Sequence, residues 1–580
     1  MNGFTFFVIM ATLESLIQND IMGIQKNSMK MKKIFTFLVI LMICVSITAQ
    51  KHPQWLRDAV FYQVYPSSFQ DNDGNGIGDI RGIESRLGYI KSIGVNAVWL
   101  NPVFRSAFKD GGYDVIDYYM VDPRFGTNTG LVNFVKEAHD RGMHVVLDLV
   151  AGHSSDQSPW FIQSKEADVN LRYSNYYIWA DKKPSDLSRQ DASRFVEADA
   201  PRAKYYIKNF FDSQPALNYG YAHPNPDHPW EQPVDAPGPQ AVVRELKNII
   251  TFWMEKGVDG FRVDMAASLI KDDPDKSATI ALWKKLNAWF VQKFPQGVLI
   301  AEWFDPKQSI EGGFDIDFLL PGNLFQSRSF RNPEPVKVYF DKAGEGSIIS
   351  WYKSFEDQYK NTVNKGYISV PTGNHDNPRI ADSSRNGNEL KVAMTFFLTL
   401  PGVPFIYYGD EIGMKYIPKS PDVEGSFFRS GSRTPMQWDD SKNAGFSTAP
   451  ANKLYIPEDP DPNRPTVAKE DKDPNSLLNY VRGLLALRES SPALGNDGDW
   501  KLVSDVNKPY PMVYMRSSGN DKYIIAINPS GKNVRAELSS MDAVNVKYVF
   551  GTSGKCSYKP GKKTDMVKLP AVSAAVFKIE

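Results

Sequence analysis

In four short segments of this chain, an apolar, strand-like run is followed by a carboxylate or an imidazole. They are residues 148–153, 260–264, 301–303 and 374–379, and they carry the acids Asp264, Glu302 and Asp376. Acidic side chains at the carboxyl ends of successive strands, with helices between the strands, are what a (β/α)8 barrel uses to build a site at one face. A pair of carboxyls with a third acid nearby suits hydrolysis of a glycosidic bond.

Arg262 and Asp264 predict an ionised nucleophile. Side chains alternate along a strand, so Arg262, two residues before Asp264, points to the same side. A guanidinium there is expected to lower the pKa of Asp264 and to orient its oxygens. The alternative for the isolated motif is a buried ion pair that only holds the end of a strand.

Glu302 predicts a general acid. It follows the apolar run 298–301 and precedes Trp303 and Phe304. Apolar rings exclude water from a neighbouring carboxyl, so a neutral, proton-donating form of Glu302 is expected. Such a group can protonate a leaving oxygen and then activate water. The alternative is a glutamate that only begins a helix.

Eight strand-like runs alternate with amphipathic segments, which predicts a (β/α)8 TIM barrel. The runs are residues 60–64, 97–100, 145–150, 260–263, 298–301, 314–318, 368–372 and 404–408. Helices are predicted over residues 131–141, where Gly142 would end the helix, and over residues 241–256, which lead into the strand of Asp264.

Two regions interrupt this alternation. Residues 154–210 form an interval too long for a simple βα loop, which predicts a small inserted domain after strand 3, beside the site. From residue 491 the pattern becomes short alternating strands, at 511–515, 522–528, 534–538, 546–549 and 571–579, which predicts a C-terminal antiparallel β-sandwich. The barrel is then expected to comprise residues 51–153 and 211–490, and the sandwich residues 491–580.

Residues 1–50 predict a targeting segment. Two lysines precede an apolar run at residues 34–47, which is shorter than the about 20 residues of a membrane span and ends near a small residue. This is typical of a secretory signal peptide, with translation starting at Met29 or Met31 and a secreted or periplasmic mature protein without a stable membrane span. Loss of Cys44 would leave Cys556 without a partner for an intramolecular disulfide.

Length and charge limit the classes of partner. The chain has 580 residues and a formal net charge of 0. The length predicts two or three domains. The charge balance gives no electrostatic reason to expect a nucleic acid or an anionic membrane surface as a partner.

The four segments, in this order, resemble the conserved regions of glycoside hydrolase family 13, the α-amylase family, and the resemblance extends from about Trp55 to the C-terminus. It implies a retaining glycosidase of the oligosaccharide-cleaving, α-glucosidase-like branch. In such an enzyme Asp264 would be the nucleophile, Glu302 the acid and base, and Asp376 the group that binds the 2- and 3-hydroxyls of a distorted sugar. Residues 402–413 and 433–438 also resemble segments of this branch.

The resemblance also implies a set of substrate contacts. Tyr113 matches the tyrosine that forms a stacking platform under the sugar, and His153 and His375 match the pair of imidazoles around it. In exo-acting relatives an aspartate after this tyrosine and an arginine in the fourth segment clamp the terminal glucose. Asp114 and Arg379 match that description, so a closed pocket that removes single glucose units is expected.

In residues 71–79, every second residue can offer an oxygen ligand, and the segment looks like the calcium loop of the same branch. Ca²⁺ takes about 6–8 oxygen ligands. The expected ligands are Asp71, Asp73, Asn75, the carbonyl of Ile77, and Asp79. Because the loop follows the first strand and not the acids, the ion is expected to be structural; the alternative is a plain Gly/Asp turn.

Three positions depart from the family pattern. Gly152 stands where an asparagine usually precedes the first histidine, so one polar contact is expected to be missing. Ala216 replaces a common aspartate in a fifth segment, residues 214–218. Met265 follows the nucleophile, where small or branched residues often influence linkage preference, so the linkage is left open.

Three functions remain open from the sequence. The first is hydrolysis of α-glucosidic bonds in starch-derived oligosaccharides. The second is glucosyl transfer or isomerisation of the trehalose synthase kind, which uses the same residues but excludes water. The third is a catalytically inactive binding subunit, which the presence of all three acids disfavours.

Overall fold

Eight parallel strands form a closed barrel in the structure, which is a computed structural model. They are β1 Phe61–Val64, β2 Ala97–Leu100, β3 His144–Val150, β4 Gly260–Asp264, β5 Val298–Ala301, β6 Ile316–Phe318, β7 Tyr367–Ser369 and β8 Phe405–Tyr407. Strands β1 to β7 pair in order, and β8 pairs with β1. The Thr372 amide donates to the Phe405 carbonyl (3.0 Å), which joins the region of β7 to β8. The predicted barrel is confirmed.

The structure describes residues 52–184, 192–326, 336–382, 385–541 and 545–580. The predicted targeting segment, residues 1–50, lies outside these residues. Among the described residues, no helix has both the length and the apolar character needed to cross a membrane.

Helices follow the strands around the barrel. They are α1 Ile80–Ser85, α2 Leu87–Ile93, α3 Asn128–His139, α4 Pro237–Met254, α5 Ser277–Lys293, α6 Pro306–Glu311, α7 Ile349–Thr362, α8 Asn388–Thr399 and α9 Leu477–Glu489. The Thr127 side chain caps α3 by accepting from the Gly130 amide (3.0 Å), and Leu131 and Phe134 bury its inner face. The two predicted helices correspond to α3 and α4, with ends shifted by two to four residues.

Alternate strand residues fill the barrel interior, and the others pack under the helices. The interior cluster contains Phe61, Ala97, Trp99, Val146, Val298, Ile300, Ile316, Phe318 and Phe405. Strand β4 begins with Gly260, where an added Cβ would lie 2.1 Å from the Val298 carbonyl oxygen. The absence of a side chain there lets β4 approach β5 closely, which matters because these two strands carry the acids.

A small three-stranded antiparallel sheet lies in the chain between β3 and α4. Its strands are Trp179–Ala180, Phe195–Glu197 and Tyr205–Ile207. An isolated bridge pairs His153 with Ala216, which connects the end of this region to the segment after β3. The structure thus contains a sheet in the interval predicted as an inserted domain, whose exact limits stay a prediction.

The C-terminal region contains two antiparallel sheets. Its strands are β9 Asp499–Leu502, β10 Met512–Ser518, β11 Asp521–Asn528, β12 Val534–Ser539, β13 Val546–Gly551, β14 Ser557–Lys559, β15 Thr564–Leu569 and β16 Ser573–Ile579. The sheet orders are β9-β10-β11-β16-β13 and β12-β15-β14. Side chains from both sheets, including Val513 and Leu538, share one buried cluster with the free thiol of Cys556. Strands β9, β14 and β15 were not predicted.

Candidate active site

Asp264 and Glu302 lie side by side at the carboxyl ends of β4 and β5. The register pairs Arg262 with Ile300 and Val263 with Ala301, so the next residue on each strand is the acid. The Glu302 amide donates to the Val263 carbonyl at 3.0 Å, which continues the pairing. Strand register therefore places the two acidic residues next to each other.

Among the described residues, Arg262 is the one guanidinium that forms an ion pair with both carboxyls. Its Nη1 lies 3.0 Å from Asp264 Oδ1, and its Nη2 lies 2.9 Å from Glu302 Oε1. The same Nη1 lies 2.8 Å from Asp148 Oδ1 on the neighbouring strand β3. One buried cation thus faces three carboxyls, and this surplus of negative charge favours retention of a proton among them.

The pKa of Asp264 is raised, and the cause is burial followed by the negative charge of Glu302. The attraction of Arg262 acts in the opposite direction but is outweighed. Arg262 thus lowers the pKa of Asp264 as predicted, but burial and Glu302 raise it by more, so the pKa is raised overall. Burial likewise raises the pKa of Asp148 to about 6, although Arg262 opposes it.

Glu302 is tied to the protein at both oxygens. Oε1 contacts Arg262, and Oε2 accepts from the Met265 amide at 2.9 Å. Met265 has a left-handed backbone (φ 44°), which turns the chain after Asp264 towards Glu302. This turn gives the residue after the predicted nucleophile a direct contact with the predicted acid.

Asp376 is held by two arginines and a histidine. Its Oδ1 lies 3.2 Å from Arg429 Nη1 and 3.1 Å from Arg433 Nη2, and its Oδ2 lies 3.1 Å from His375 Nε2. Burial acts to raise the pKa of Asp376, but His375, Arg433 and Arg429 together hold it well below its usual range. Asp376 is therefore an ionised hydrogen-bond acceptor at neutral pH.

Tyr113 and His375 stack on one another beside Asp148. Their ring centroids are 5.3 Å apart and their planes differ by 7°. The Tyr113 hydroxyl lies 2.9 Å from Asp148 Oδ2 and 2.8 Å from His375 Nε2. His153 lies at the other end of Tyr113, with Nε2 3.2 Å from the Tyr113 carbonyl. Four of the six predicted substrate contacts thus lie beside the predicted acids or beside Tyr113: Tyr113 itself, His153, Arg262 and His375.

Asp114 and Arg379, the predicted clamp, lie in separate buried networks. The Asp114 carboxylate accepts from Ser106 Oγ (2.9 Å) and from the Lys109 amide (3.0 Å). Arg379 Nη1 donates to the Tyr408 carbonyl (2.7 Å) and pairs with Asp410 (2.9 Å). These contacts favour a structural role for Asp114. Nε and Nη2 of Arg379 are buried without a hydrogen-bond partner among the described residues, and a clamp formed by Asp114 with Arg379 stays a prediction.

A different aspartate and arginine pair with each other next to Asp376. Asp110 Oδ1 lies 2.7 Å from Arg429 Nη2, and Gln214 donates to Asp110 Oδ2 at 2.8 Å. The sequence reasoning missed both, although Asp110 lies three residues before Tyr113 and Arg429 four residues before the recognised segment 433–438. Their pairing spans 319 residues and could not be inferred from spacing.

A group of aromatic rings, several of them exposed, lies on one side of Arg429. The Phe211 ring lies 6.1 Å from Phe427, and the Arg429 guanidinium lies 6.0 Å from the Phe211 ring. Phe210, Phe427 and Phe428 are each more than half exposed. Large apolar side chains are rarely left exposed together without a binding role. They form an aromatic rim beside the Asp110–Arg429 pair.

Three of the predicted metal ligands lie together. Oxygens of Asp71, Asp73 and Asp79 are within 4.8 Å of one another. Asn75 Oδ1 accepts from the Ile77 amide at 2.8 Å, and Asp79 Oδ1 accepts from the Gly82 amide at 2.8 Å and caps α1. Burial, with smaller contributions from Asp73 and Asp71, raises the pKa of Asp79. Hard oxygen donors crowded in this way fit a hard divalent cation.

Comparisons with known proteins agree with this geometry. The family model of the α-amylase catalytic domain matches residues 63–497. An oligo-1,6-glucosidase of Parageobacillus thermoglucosidasius is 32% identical over 535 residues, which cover 82% of this chain and 91% of that protein. A trehalose synthase/amylase of Mycobacterium tuberculosis is 32% identical over 518 residues, covering 81% and 80%. The crystal structure of a trehalulose synthase of Pseudomonas mesoacidophila superposes with a TM-score of 0.75 at 25% identity, covering 91% of this chain and 99% of that one.

Proposed function

We propose that this chain, which belongs to the α-amylase family, is a retaining α-glucosidase that cleaves α-glucosidic bonds of starch-derived oligosaccharides. The observation that carries the proposal is the shared guanidinium of Arg262, which holds Asp264 and Glu302 side by side at the ends of two neighbouring strands. Two such carboxyls, with Asp376 as a third, are the equipment for double displacement at an anomeric carbon.

In the proposed reaction, Asp264 attacks the anomeric carbon while Glu302 donates a proton to the departing glycosidic oxygen. The result is a glycosyl ester on Asp264. Glu302 then removes a proton from water, which attacks the same carbon and releases Asp264, so the α configuration is retained.

The reaction requires one proton in the pair, and that proton must reside on Glu302. Burial and the charge of Glu302 raise the pKa of Asp264, which supports retention of a proton between the two groups. Once Glu302 moves away from Arg262 towards the glycosidic oxygen, Arg262 is left to stabilise the ionised form of Asp264. Entry of the substrate is the step that would cause this exchange.

Asp110 and Arg429 are proposed to bind the non-reducing end of the substrate. A carboxylate and a guanidinium placed together offer acceptors and donors to adjacent sugar hydroxyls. Arg429 also contacts Asp376, so the pair lies next to the sugar that reacts. This placement favours a pocket closed at one end, and hence removal of single glucose units.

A second candidate function is glucosyl transfer or isomerisation. It is favoured by the similarity to a trehalulose synthase and to a trehalose synthase/amylase, and by the aromatic rim, which could hold an acceptor sugar and exclude water. Such a reaction uses the same nucleophile and the same acid. It differs in the molecule that attacks the glycosyl ester.

A time course of products decides between these functions. The purified chain would be incubated with maltotriose, isomaltose, sucrose and soluble starch, and NMR would follow the anomeric protons. Early α-glucose from the short substrates supports the α-glucosidase. New disaccharides without free glucose would support the isomerase, and a rapid loss of starch viscosity would contradict the closed pocket.

We further propose that residues 71–79 bind Ca²⁺ as a structural ion. Asp71, Asp73 and Asp79 supply carboxylate oxygens, and the side chain of Asn75 and the carbonyl of Ile77 are the remaining candidate ligands. The loop also contacts the segment after β8, since Ser447 Oγ donates to Asp71 Oδ2 at 2.5 Å. A cation here would neutralise the acids and stabilise that contact.

Secretion through residues 1–50 is likewise proposed on the sequence pattern alone. N-terminal sequencing of the mature protein, recovered from outside the cytoplasm, is the measurement. A mature chain that begins near Gln50 supports the proposal, and an intact Met1 on the mature protein contradicts it.

A further inference from the structure

The side chain of Asn209 reaches from the segment after the inserted sheet to Gly152, the position that departs from the family pattern. A Cβ added at Gly152 would lie 2.7 Å from Asn209 Nδ2 and 3.3 Å from Ser268 Oγ. Gly152 does not have a positive φ, so its backbone does not require a glycine. The space beside Gly152 is therefore taken by the amide of Asn209.

Lys271 determines which way this amide faces. Lys271 Nζ lies 3.3 Å from Asn209 Oδ1 and also donates to the Ser268 carbonyl at 2.7 Å. Burial lowers the pKa of Lys271 to about 7, but a lysine amine has N–H donors in either protonation state. Ser268 Oγ donates to the Met265 carbonyl and therefore accepts from the Asn209 nitrogen at 3.2 Å, which leaves the amide oxygen facing Lys271. The amide nitrogen then faces the other side, where it lies 3.1 Å from His153 Nδ1.

The same contacts select one tautomer of His153. Because the Asn209 nitrogen is a donor, His153 Nδ1 must accept, and the ring proton is on Nε2. Nε2 lies 3.2 Å from the Tyr113 carbonyl, which accepts that proton. Burial lowers the pKa of His153 to about 3, so the ring is neutral and only one nitrogen carries a proton.

This network is buried and connects to the reacting groups. His153 is 1% exposed and Lys271 6% exposed. The Asn209 amide nitrogen also lies 3.6 Å from the sulfur of Met265, the residue whose amide binds Glu302. A single side chain therefore contacts both the first histidine motif and the residue after the predicted nucleophile.

We propose that Asn209 and Lys271 are positioning residues for His153, and that Asn209 supplies from another part of the chain the polar contact that Gly152 lacks. Lys271 orients the Asn209 amide, and the amide holds His153 in the tautomer whose Nε2 proton is donated to the carbonyl of Tyr113, the predicted sugar platform. This inference rests on the proposed function in so far as His153 binds the sugar. The tautomer itself does not depend on any activity.

The first test measures the tautomer directly. Long-range ¹H–¹⁵N spectra of the full chain with labelled histidine would be recorded, and a His153→Gln variant would assign one of the seven histidines. The expected result is that Nε2 of His153 is protonated and Nδ1 is not. A proton on Nδ1 in the wild-type protein would overturn the proposal, even in a fully active glucosidase.

The second test uses matched variants at Asn209. Asn209→Leu removes the amide. Because the buried Nδ1 of His153 then loses its hydrogen-bond donor, kcat/KM for maltotriose is expected to fall about tenfold. Asn209→Asp offers only acceptors to Lys271 and His153, so the His153 proton should move to Nδ1 with at least the same loss. Asn248→Leu, at an exposed position of α4, controls for the change of residue type.

The third test moves the amide back to residue 152. Adding Gly152→Asn to the Asn209→Leu variant is expected to recover most of the lost kcat/KM, whereas Gly152→Asn alone collides with Asn209. Wild-type kcat/KM in Asn209→Asp, or an unchanged His153 tautomer in that variant, would contradict the proposal. If the double variant fails to fold, the wild-type tautomer still decides. Absence of α-glucosidase activity in the wild type would refute the proposed function and leave the tautomer result intact.

Discussion

At the scale of single residues, the site is organised by a shortage of positive charge. Arg262 contacts Asp148, Asp264 and Glu302, and all four side chains are largely withdrawn from water. Because burial penalises each ionised carboxyl, the group keeps a proton that an exposed set of acids would lose. In the proposed reaction, one proton of this group is donated to the departing glycosidic oxygen.

Replacement of Asp264 by asparagine is expected to lower kcat by about 10³-fold or more, because an amide cannot form the glycosyl ester. The melting temperature should be unchanged or higher, since Arg262 still faces two carboxyls and one buried charge is gone. Turnover of an aryl α-glucoside and thermal unfolding would be measured together. Asp212→Asn, an exposed aspartate paired with Lys208, is the control. Wild-type kcat in Asp264→Asn would contradict the nucleophile assignment.

Asp110→Asn and Asp114→Asn separate substrate binding from structure. Asp110 pairs with Arg429 beside Asp376, so its variant should lose about tenfold or more in kcat/KM for maltotriose with little change in melting temperature. Asp114 accepts buried backbone amides, so its variant should be destabilised by about 1–3 kcal/mol. Steady-state kinetics and denaturant unfolding on both variants provide the comparison. The opposite assignment of effects would restore Asp114 as the clamp.

At the scale of elements, the register of β4 and β5 brings Asp264 and Glu302 together, and the turn after β4 orients the side chain of Glu302. Val263 pairs with Ala301, and the left-handed Met265 directs its amide at Glu302. In a parallel barrel all such ends lie at one face, which is why loops from distant parts of the chain can meet there. The loop at residues 71–79 and the segment after β8 are two such elements.

Removal of Ca²⁺ is expected to lower the melting temperature. Three carboxylates within 4.8 Å of one another repel when no cation is present. Unfolding would be followed with EDTA, and then with added Ca²⁺ or Mg²⁺. Asp73→Ala should abolish the response to Ca²⁺, and Asp505→Ala, at an exposed loop, should keep it. Equal melting temperatures with EDTA and with Ca²⁺ would refute a structural ion.

Glu411 ties three elements together and should make stability depend on pH. Its Oε1 accepts from the hydroxyls of Tyr62 on β1 (2.8 Å) and Tyr89 on α2 (2.7 Å), and burial raises its pKa to about 7. In the unfolded chain it ionises near its ordinary value, about 4.5. Between pH 4.5 and 7 the folded state therefore keeps a proton on Glu411 that the unfolded chain has lost. The contribution of Glu411 to the free energy of unfolding falls as pH rises from about 4.5 to 7.

The variant Glu411→Gln removes this titration. The stability of the variant relative to wild type is expected to increase with pH across that window, by an amount on the order of a few kcal/mol. Denaturant unfolding at several pH values measures it. Glu489→Gln, at the exposed end of α9, is the control. A difference independent of pH would show that Glu411 ionises in the folded state as it does in the unfolded chain.

At the scale of the whole molecule, the site mouth is assembled from segments that are far apart in the chain. Phe210 and Phe211 follow the inserted sheet, whereas Phe427 and Phe428 follow β8. Arg429 joins this aromatic rim to Asp110 and Asp376. We expect the aromatic rim and Arg429 to determine whether water or a sugar attacks the glycosyl ester, because the acids are the same in both reactions.

Substitution of Phe427 by alanine is expected to raise the ratio of hydrolysis to transfer. The Phe427 ring is 56% exposed next to Phe211. Its removal should admit water to the site and weaken the binding of an acceptor sugar. Glucose and transfer products from maltose would be quantified for the variant and for Ile162→Ala, a substitution of another exposed apolar residue. An unchanged product ratio in Phe427→Ala would remove the rim from the mechanism.

Much of the barrel could be predicted because its signals are local. The runs at residues 97–100 and 298–301 match β2 and β5 at both ends, since apolar composition and breakers define a buried strand. Strands β14 and β15 were missed because exposed polar residues dilute the alternation in Ser557–Lys559 and Thr564–Leu569. In the sandwich β15 pairs with β12 and β14 pairs with β15, and no local pattern records these pairings.

By itself, the sequence determined the chemical inventory of this protein: which acids end which strands, and which residue types surround them. Only the tertiary structure decided that Asp110, and not Asp114, meets an arginine, and that Arg429 is 319 residues away. It also decided the direction of the Asp264 pKa, which Arg262 alone would have lowered. The physical reason is the same in each case: residue type is a local property, whereas burial and electrostatic interaction are sums over neighbours that only the folded chain brings together.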